Sequence, residues 1–485
     1  MDRTRNVDLG RILTHHASVR PRNIALTDGE GRFDFDSVNR RVNRLANALT
    51  NTGIRRGDRV AVRLANSHRY FECLFACAKV GAVMVPINGM AAPEELEQIS
   101  EKTAASLLFD DEATFDSFSA RAPETEPAAT PFAEDPLLIM YTSGTTGAPK
   151  GAVLTHANIV YSSFNQILGW QLAASDRVLV VCPFHHVGGL IALGFPCLYA
   201  GGEVHLAQPA PDAILEASER ERITALFLPP LLWGRLERDG AFDRANLASV
   251  RLCASGGDPI ALPVLEHLID RFQAEFTDAY GLTEASSCST LLHGEDIVRR
   301  AGSAGKALAH NVIRVVNAEG REAPAGEIGE IVMTGPTVMK EYWLRPAETA
   351  VAIRDEWLWT GDHGRIDEEG FLYVAGRGSD VIVSGDAKIY PTEVERVLRQ
   401  HAAVSEAAVI DIVDASHGRI VAAFVVPQRG MMLAPREIVD FCADRMAEFK
   451  RPKIAFVCDS LPRNGSGKVI RLKLRAILDG SPASG

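Results

Sequence analysis

One short run carries residues well suited to holding a polyanion. Thr142-Ser143-Gly144-Thr145-Thr146-Gly147-Ala148-Pro149-Lys150-Gly151 follows Pro136-Leu137-Leu138-Ile139-Met140-Tyr141, which reads as a buried strand. Glycines let backbone N–H groups approach an anion closely, the hydroxyls add donors, and Lys150 adds positive charge. A nucleotide phosphate is the natural guest. The Walker A pattern is not met, because it needs Gly-Lys adjacent and then Ser or Thr. Here Ala148-Pro149 separates Gly147 from Lys150, and Gly151 follows. Gly467-Lys468 fails the same test, since Pro462 holds the first glycine position and Val469 follows the lysine. A plain surface loop would need neither Lys150 nor the strand before it.

The elements that must position this loop alternate along the chain. Val38, Val42, Leu45 and Leu49 recur at helical spacing, with Asp36 or Ser37 available as cap and Gly53 as stop. Strand-like runs follow at Val60–Val62, Val178–Val181, Ala225–Leu228 and Ile331–Met333. This alternation predicts an α/β fold with several sheets covered by helices. Arg121–Pro131, rich in Pro, Ala and acid, reads as a mobile surface connection. A second change of character comes near residues 378–380. Beyond it, Val394, Val397 and Leu398 share a helical face, enough for a small separate domain.

Composition excludes several classes. The chain has 485 residues, 46% of them hydrophobic and 23% charged, which is ordinary for a globular protein and not for a disordered or collagenous one. Acidic residues exceed basic ones, 62 against 51, so neither nucleic acid nor an anionic membrane is expected as the main partner. The eight cysteines form no CxxC pair and no zinc spacing, and most have apolar neighbours, so they read as buried free thiols. The start lacks the apolar core of a signal peptide, and Val187–Ala200, the longest apolar stretch, is too short to span a bilayer. A cytoplasmic location without integral membrane association is the expectation.

Seven segments, in order, resemble the adenylate-forming superfamily of acyl-CoA synthetases, peptide-synthetase adenylation domains and luciferases. They are Tyr141–Gly151, Ser255-Gly256-Gly257-Asp258-Pro259, Tyr280-Gly281-Leu282-Thr283-Glu284, Gly326–Glu330, Trp359-Thr360-Gly361-Asp362, Gly376-Arg377-Gly378-Ser379-Asp380 and Pro462–Lys468. The resemblance implies a large N-terminal AMP-binding domain over 1–378 and a small mobile C-terminal α/β domain over 379–485, with a hinge near Ser379. It implies an acid:CoA ligase using ATP, Mg²⁺ and CoA. The carboxylate would attack the α-phosphate of ATP to give an acyl adenylate and pyrophosphate, and the CoA thiol would then displace AMP.

Site roles follow from the same resemblance. Thr142, Ser143, Gly144, Thr145, Thr146, Gly147 and Lys150 would cradle phosphates. Gly256, Gly257, Asp258, Asp278, Ala279, Tyr280 and Gly281 would line the adenine side, with Thr283 on phosphate and Glu284 on Mg²⁺. Mg²⁺ favours one or two carboxylates together with substrate phosphates. Asp362 would take the ribose hydroxyls beside Arg377, and Lys468 would meet the charge that develops during adenylation. Read alone, Ser255-Gly256-Gly257 is a tight turn, Glu284 a solvated carboxylate and Asp362 a turn residue; the order of the motifs lifts them above that. Gly385 would border the pantetheine arm, and Arg451 and Lys453 the CoA phosphates, although Phe449–Lys453 also reads as a solvated charge run. The hinge position is usually Lys or Asp, and Ser384-Gly385-Asp386-Ala387-Lys388 stands where Ser-Gly-Gly-Glu-Asn is common.

Pro183–Leu190 resembles the segment bordering the carboxylic acid. His186 aligns with the family histidine, with Val187, Gly188, Gly189 and Leu190 after it, and Phe227, Leu228 and Trp233 are apolar wall candidates. His185 reads as a satisfied polar residue outside the pocket. No aspartate stands ready for an α-ammonium group, so an apolar acyl or aryl acid fits better than an amino acid. Transfer to a carrier-protein pantetheine stays open beside CoA, as does a homodimer. A noncatalytic acyl- or nucleotide-binding relative, an ATP-dependent phosphotransferase and a luciferase-type oxygenase fit less well.

Overall fold

The computed structural model describes residues 9–89, 93–128, 131–142, 149–238, 245–258, 260, 262–272, 274–384, 387–414, 418–463 and 468–478. Two compact units emerge, 1–313 with 333–359, and 314–332 with 360–485. Ser379, the expected hinge, lies within the second unit's span.

Two sheets organise the first unit. In the nine-stranded one, the strands run in the spatial order Lys306–Ala307, Ser287–Leu292, Glu275–Leu282, Leu252–Gly256, Ala225–Phe227, Arg177–Val180, Glu203–Leu206, Ile24–Asp28 and Gly31–Asp34. The six strands from Glu275–Leu282 through Ile24–Asp28 are parallel to one another. Parallel strands need both faces covered, which explains why Val178, Leu179, Ala225, Leu252, Cys253 and Ala254 are all buried. The six-stranded sheet runs Glu341–Tyr342, Lys150–Thr155, Pro136–Thr142, Val83–Pro86, Arg59–Val62 and Leu107–Phe109. An α/β fold with several helix-covered sheets is therefore the architecture found.

Local chemistry accounts for the element boundaries. The helix Phe35–Asn51 presents Val38, Val42, Leu45 and Leu49 to the core, and its cap is Asp34, whose side chain accepts from the Ser37 N–H. The expected caps, Asp36 and Ser37, lie inside the first turn because the strand Gly31–Asp34 delivers Asp34 to the position where free N–H groups need an acceptor. Val187–Ala200 is a π-helical stretch, Gly188–Gly194, running into Phe195–Ala200. No described helix is long and apolar enough to cross a membrane. Seven of the eight cysteines are buried and the eighth, Cys458, is half-buried; all are free thiols.

The expectation of a mobile connection at Arg121–Pro131 is corrected for its described part. Lys79 is buried on the helix His68–Val80, and its ammonium group donates to Thr14, Asn39, Asn43 and Glu126 at 2.7–2.9 Å. Asn43 and Asn47 donate to the carbonyls of Pro123, Glu124 and Thr125. A buried ammonium requires acceptors, and the acidic, proline-rich stretch supplies one of them.

In the second unit, the strands Val404–Asp414, Gly418–Pro427 and Ile454–Val457 form a sheet whose buried face packs with the helices Pro391–Leu398 and Pro435–Phe441. Val394 and Leu398 are fully buried there, as their spacing implies.

Replacing Lys79 with alanine is expected to release residues 121–126 while the body stays folded. Limited proteolysis followed by mass mapping should show new cleavage in this stretch that the wild type resists. Equal resistance in both proteins would refute the tether.

Candidate functional site

The strands Pro136–Thr142 and Lys150–Thr155 pair antiparallel, with Thr142 opposite Lys150 and Tyr141 opposite Gly151. They bring the two ends of the phosphate loop together, and the Thr142 hydroxyl donates to the Lys150 carbonyl at 3.3 Å. Ser143, Gly144, Thr145, Thr146 and Gly147 lie outside the described residues. Gly151 is needed for packing, since a Cβ there would fall 2.6 Å from Ile139 Cγ2.

Glu284 sits in a single helical turn, Thr283–Ala285, at the end of the strand Glu275–Leu282. Gly281 makes that exit possible: a Cβ would lie 1.7 Å from the Ser287 carbonyl oxygen, so any side chain there would push the strand apart. The Tyr342 hydroxyl donates to Glu284 Oε1 at 2.7 Å, and the Met339 N–H donates to the Glu284 carbonyl at 2.8 Å. Lys150 Nζ stands 5.1 Å from the Tyr342 ring centroid. The structure thus joins the loop lysine and the carboxylate through a tyrosine that sequence reasoning missed. Its one signal was position, on a two-residue strand beside Lys150–Thr155.

Ser255 and Asp278 are opposite each other on adjacent parallel strands, as are Gly256 and Ala279. Ser255 Oγ and Asp278 Oδ1 are buried atoms with no hydrogen-bond partner in the protein. Buried polar atoms are ordinarily satisfied, so this pair suits a ligand with its own donors and acceptors. Burial pushes the Asp278 carboxyl up to about 7, and the Asp258 charge adds to the effect. Gly257 turns at φ +92° and Asp258 is exposed beyond it. Tyr280 is half-buried and Ala279 buried.

On the acid side, His185, His186, Val187 and Gly188 are half-buried, while Gly189 and Leu190 are buried. Asn66 holds this segment, donating to the Cys182 carbonyl at 2.8 Å and accepting from the Phe184 N–H at 3.0 Å. Phe227 faces Gly188 and Gly256. Leu190, Leu228 and Trp233 are 0% exposed, and the Trp233 indole donates to the Ala254 carbonyl. The expectation that His185 is a satisfied polar residue is corrected: its Nε2 is buried without a partner, and burial lowers its pKa to about 4. The rings of His185 and His186 are 4.3 Å apart.

The second unit carries its own group. Asp362 faces Arg377 across the antiparallel pair Trp357–Ile366 and Leu372–Arg377, with Arg377 Nε 3.0 Å from Asp362 Oδ1. Arg377 also donates to the Thr360 carbonyl at 2.6 Å, and the Asp362 N–H donates to Thr360 Oγ1. Ser379 is exposed in the turn Gly378–Asp380. Lys468 is exposed next to a bridge between Arg463 and Val469. Arg451 is half-buried and donates to the Met446 carbonyl, Lys453 is exposed, and Lys450 is paired with Glu393 at 2.6 Å. Gly385 lies outside the described residues.

Donor chemistry allows a metal–nucleotide complex. Among the described residues no cluster of three or more His, Cys, Asp or Glu could hold a metal by itself. A single carboxylate such as Glu284 suits Mg²⁺ that arrives with phosphate oxygens.

Two family models match the chain: the AMP-binding enzyme over residues 13–343 and the AMP-binding enzyme C-terminal domain over 393–468. A feruloyl-CoA synthase from Amycolatopsis is 36% identical, over 97% of this chain and 99% of the relative. A long-chain-fatty-acid–CoA ligase of Mycobacterium tuberculosis is 33% identical, over 96% and 98%. The o-succinylbenzoate CoA synthetase of Bacillus subtilis, solved with ATP and magnesium ion, superposes with a TM-score of 0.87 at 31% identity, covering 96% of this chain and 99% of that one.

The elevated Asp278 pKa has a sign that can be checked. An unfolded Asp ionises near about 3.9. Between there and about 7 the folded protein keeps a proton that the unfolded chain has lost, so this group's contribution to stability falls as pH rises through that window. Asp278→Asn should therefore gain on the wild type as pH increases, with the widest gap in unfolding midpoint near pH 8 and the narrowest near pH 4. A gap that does not change with pH would contradict the assignment.

Proposed function

The chain belongs to the AMP-binding enzyme family, and on that premise we propose that it joins an apolar or aryl carboxylic acid to CoA in the two steps below. It is an ATP-dependent, AMP-forming acid–thiol ligase that uses Mg²⁺. What best supports the residue-level reading is the joining of Lys150 and Glu284 through Tyr342. Lys150, a cation suited to phosphate, lies over the Tyr342 ring, and Glu284, a carboxylate suited to a metal, accepts from its hydroxyl.

In the first step a carboxylate oxygen attacks the α-phosphorus, the bond to the bridging oxygen breaks, and pyrophosphate leaves with that electron pair. Thr142, Lys150 and Thr283 would hold the phosphates, with Ser143 to Gly147 contributing from the loop. Glu284 would bind Mg²⁺, which when present neutralises phosphate charge. Ser255 and Asp278 would take up the adenine edge, with Gly256, Gly257, Asp258, Ala279, Tyr280 and Gly281 around it. With its pKa raised to about 7, Asp278 exchanges its proton near neutral pH and so can donate as well as accept. Asp362 would accept the ribose hydroxyls with Arg377 beside it, and Lys468 would meet the charge at the reacting oxygens.

In the second step the CoA sulfur attacks the acyl carbonyl, the C–O bond to phosphate breaks, and AMP departs. Gly385 would line the pantetheine arm, Arg451 and Lys453 the CoA phosphates, and Ser379 would be the hinge between domains 1–378 and 379–485. Val187, Gly188 and Phe227 would border the acid, with His186 near its carboxylate. The named activities of the relatives make ferulate-like aryl acids the first substrates to try and long-chain fatty acids the second. A cytoplasmic location and a homodimer complete the reading.

The test combines a carboxylic-acid panel with ATP, Mg²⁺ and CoA, scored by mass spectrometry for AMP, ADP and acyl-CoA. AMP with a matching acyl-CoA is the expected product pair. ADP, or acyl adenylate without thioester, would overturn the ligase reading or its CoA acceptor. Lys468→Ala should lower acid-dependent ATP–pyrophosphate exchange by about 100-fold, the scale of losing one transition-state charge contact, with unchanged thermal unfolding.

A further inference from the structure

Tyr342 has no part in the chemistry set out above, yet it touches both charged groups to which that chemistry assigns the phosphates and the metal. It lies on the strand Glu341–Tyr342, where Glu341 pairs with Val153 and Tyr342 with Ala152. The next N–H, that of Trp343, donates to the Gly151 carbonyl at 2.7 Å, so the backbone on both sides of the tyrosine is bound to the strand that begins at Lys150. The side chain is buried, 8% exposed, with Lys150 Nζ above its ring and its hydroxyl on Glu284 Oε1. The Met339 N–H, three residues earlier, holds the Glu284 carbonyl.

We propose that Tyr342 is a positioning residue for the Glu284 carboxylate, fixing its rotation so that the second oxygen, Oε2, is presented to Mg²⁺ of the nucleotide complex. This rests on the assignment of Glu284 to the metal. The choice of side chain has a physical basis. A carboxylate free to rotate near an ammonium group pairs with it, and that pairing competes with both metal and phosphate. A phenol orients the carboxylate through a charge-assisted hydrogen bond while leaving its charge uncancelled. The ring meanwhile gives Lys150 a surface to rest on other than the carboxylate. Tyr342 therefore contacts both opposite charges and leaves each available to its own partner.

The test measures ATP binding to the full-length protein by titration calorimetry, with and without Mg²⁺, for the wild type, Tyr342→Phe, Glu284→Gln and the double variant. Phenylalanine retains the ring and removes only the hydroxyl. Tyr342→Phe is expected to bind metal-free ATP as the wild type does and to lose about tenfold of the affinity that Mg²⁺ adds, as for one hydrogen bond to a charged group. Adding it to Glu284→Gln should cost nothing further. If Glu284→Gln abolishes the Mg²⁺ gain and Tyr342→Phe leaves it intact, the positioning role is wrong and the metal assignment stands. If Glu284→Gln keeps the full gain, the metal assignment fails and takes the proposal with it. An equal loss from Tyr342→Phe in both backgrounds would mean that the hydroxyl acts elsewhere, which also overturns the proposal.

Discussion

The turn that carries Glu284 cannot hold its own shape. Thr283–Ala285 is one helical turn, and it is followed by two non-glycine residues in the left-handed region, Ser286 at φ +56° and Ser287 at φ +94°. Such residues cost on the order of 1–3 kcal/mol each and persist only where their surroundings determine them. The surroundings here are Pro336–Tyr342 and the helix His156–Trp170. Ser286 Oγ donates to the Thr337 carbonyl at 2.7 Å, and Ser162 donates to the Ser286 carbonyl. Met339 and Tyr342 bind Glu284 from the same segment. Asn158 closes the system: its carboxamide oxygen accepts from Thr155 within the helix-capping box, and its NH₂ donates to the carbonyls of Pro336 and Val338 at 2.8 Å. The strain is balanced by hydrogen bonds from residues distant in sequence. A carboxylate presented in this way needs little reorganisation when a ligand arrives, which is the condition for electrostatic catalysis.

A different solution serves the neighbouring strands. Ser255 Oγ and Asp278 Oδ1, on paired residues of adjacent strands, are satisfied by no protein group, and desolvation raises the Asp278 carboxyl to about 7. A charged aspartate there would repel the phosphates of a nearby nucleotide, whereas a protonated one adds a donor. In the second unit, Asp362 is matched to Arg377 and Thr360. One carboxyl is thus shaped by desolvation, the other by an ion pair.

The fold class was legible because it depends on local pattern, and the candidate site residues were nominated from the same kind of pattern. Apolar runs marked the strands at 60–62, 178–181 and 225–228, and the helical spacing of Val38 to Leu49 marked a buried face. The glycine-rich loop, Tyr280–Glu284 and Asp362 could be nominated because their chemistry is written in adjacent residues. What stayed hidden was set by tertiary pairing. Tyr342 gains its meaning from a two-residue strand and a carboxylate 58 positions away. The 121–128 stretch has the composition of a loose connection, and only the buried Lys79 shows why its described residues are held. His185 reads like any polar residue until the loss of solvent around Nε2 is seen.

Phe227 lies against both Gly188 and Gly256. A Cβ at Gly256 would lie 3.4 Å from its ring and 2.7 Å from the Ala279 carbonyl, while one at Gly188 would lie 3.8 Å from the same ring. The two glycines are therefore not equivalent. At Gly256 the obstacle includes backbone held in register by the sheet, which cannot yield, so glycine there is required by the strands whatever the acid. At Gly188 the only neighbour within reach is the Phe227 ring, at ordinary contact distance, and the backbone is π-helical and not left-handed. A larger residue could be built at Gly188 without disturbing the fold, and it would occupy space beside Phe227. Space beside Phe227 can thus vary at Gly188 while Gly256 stays fixed.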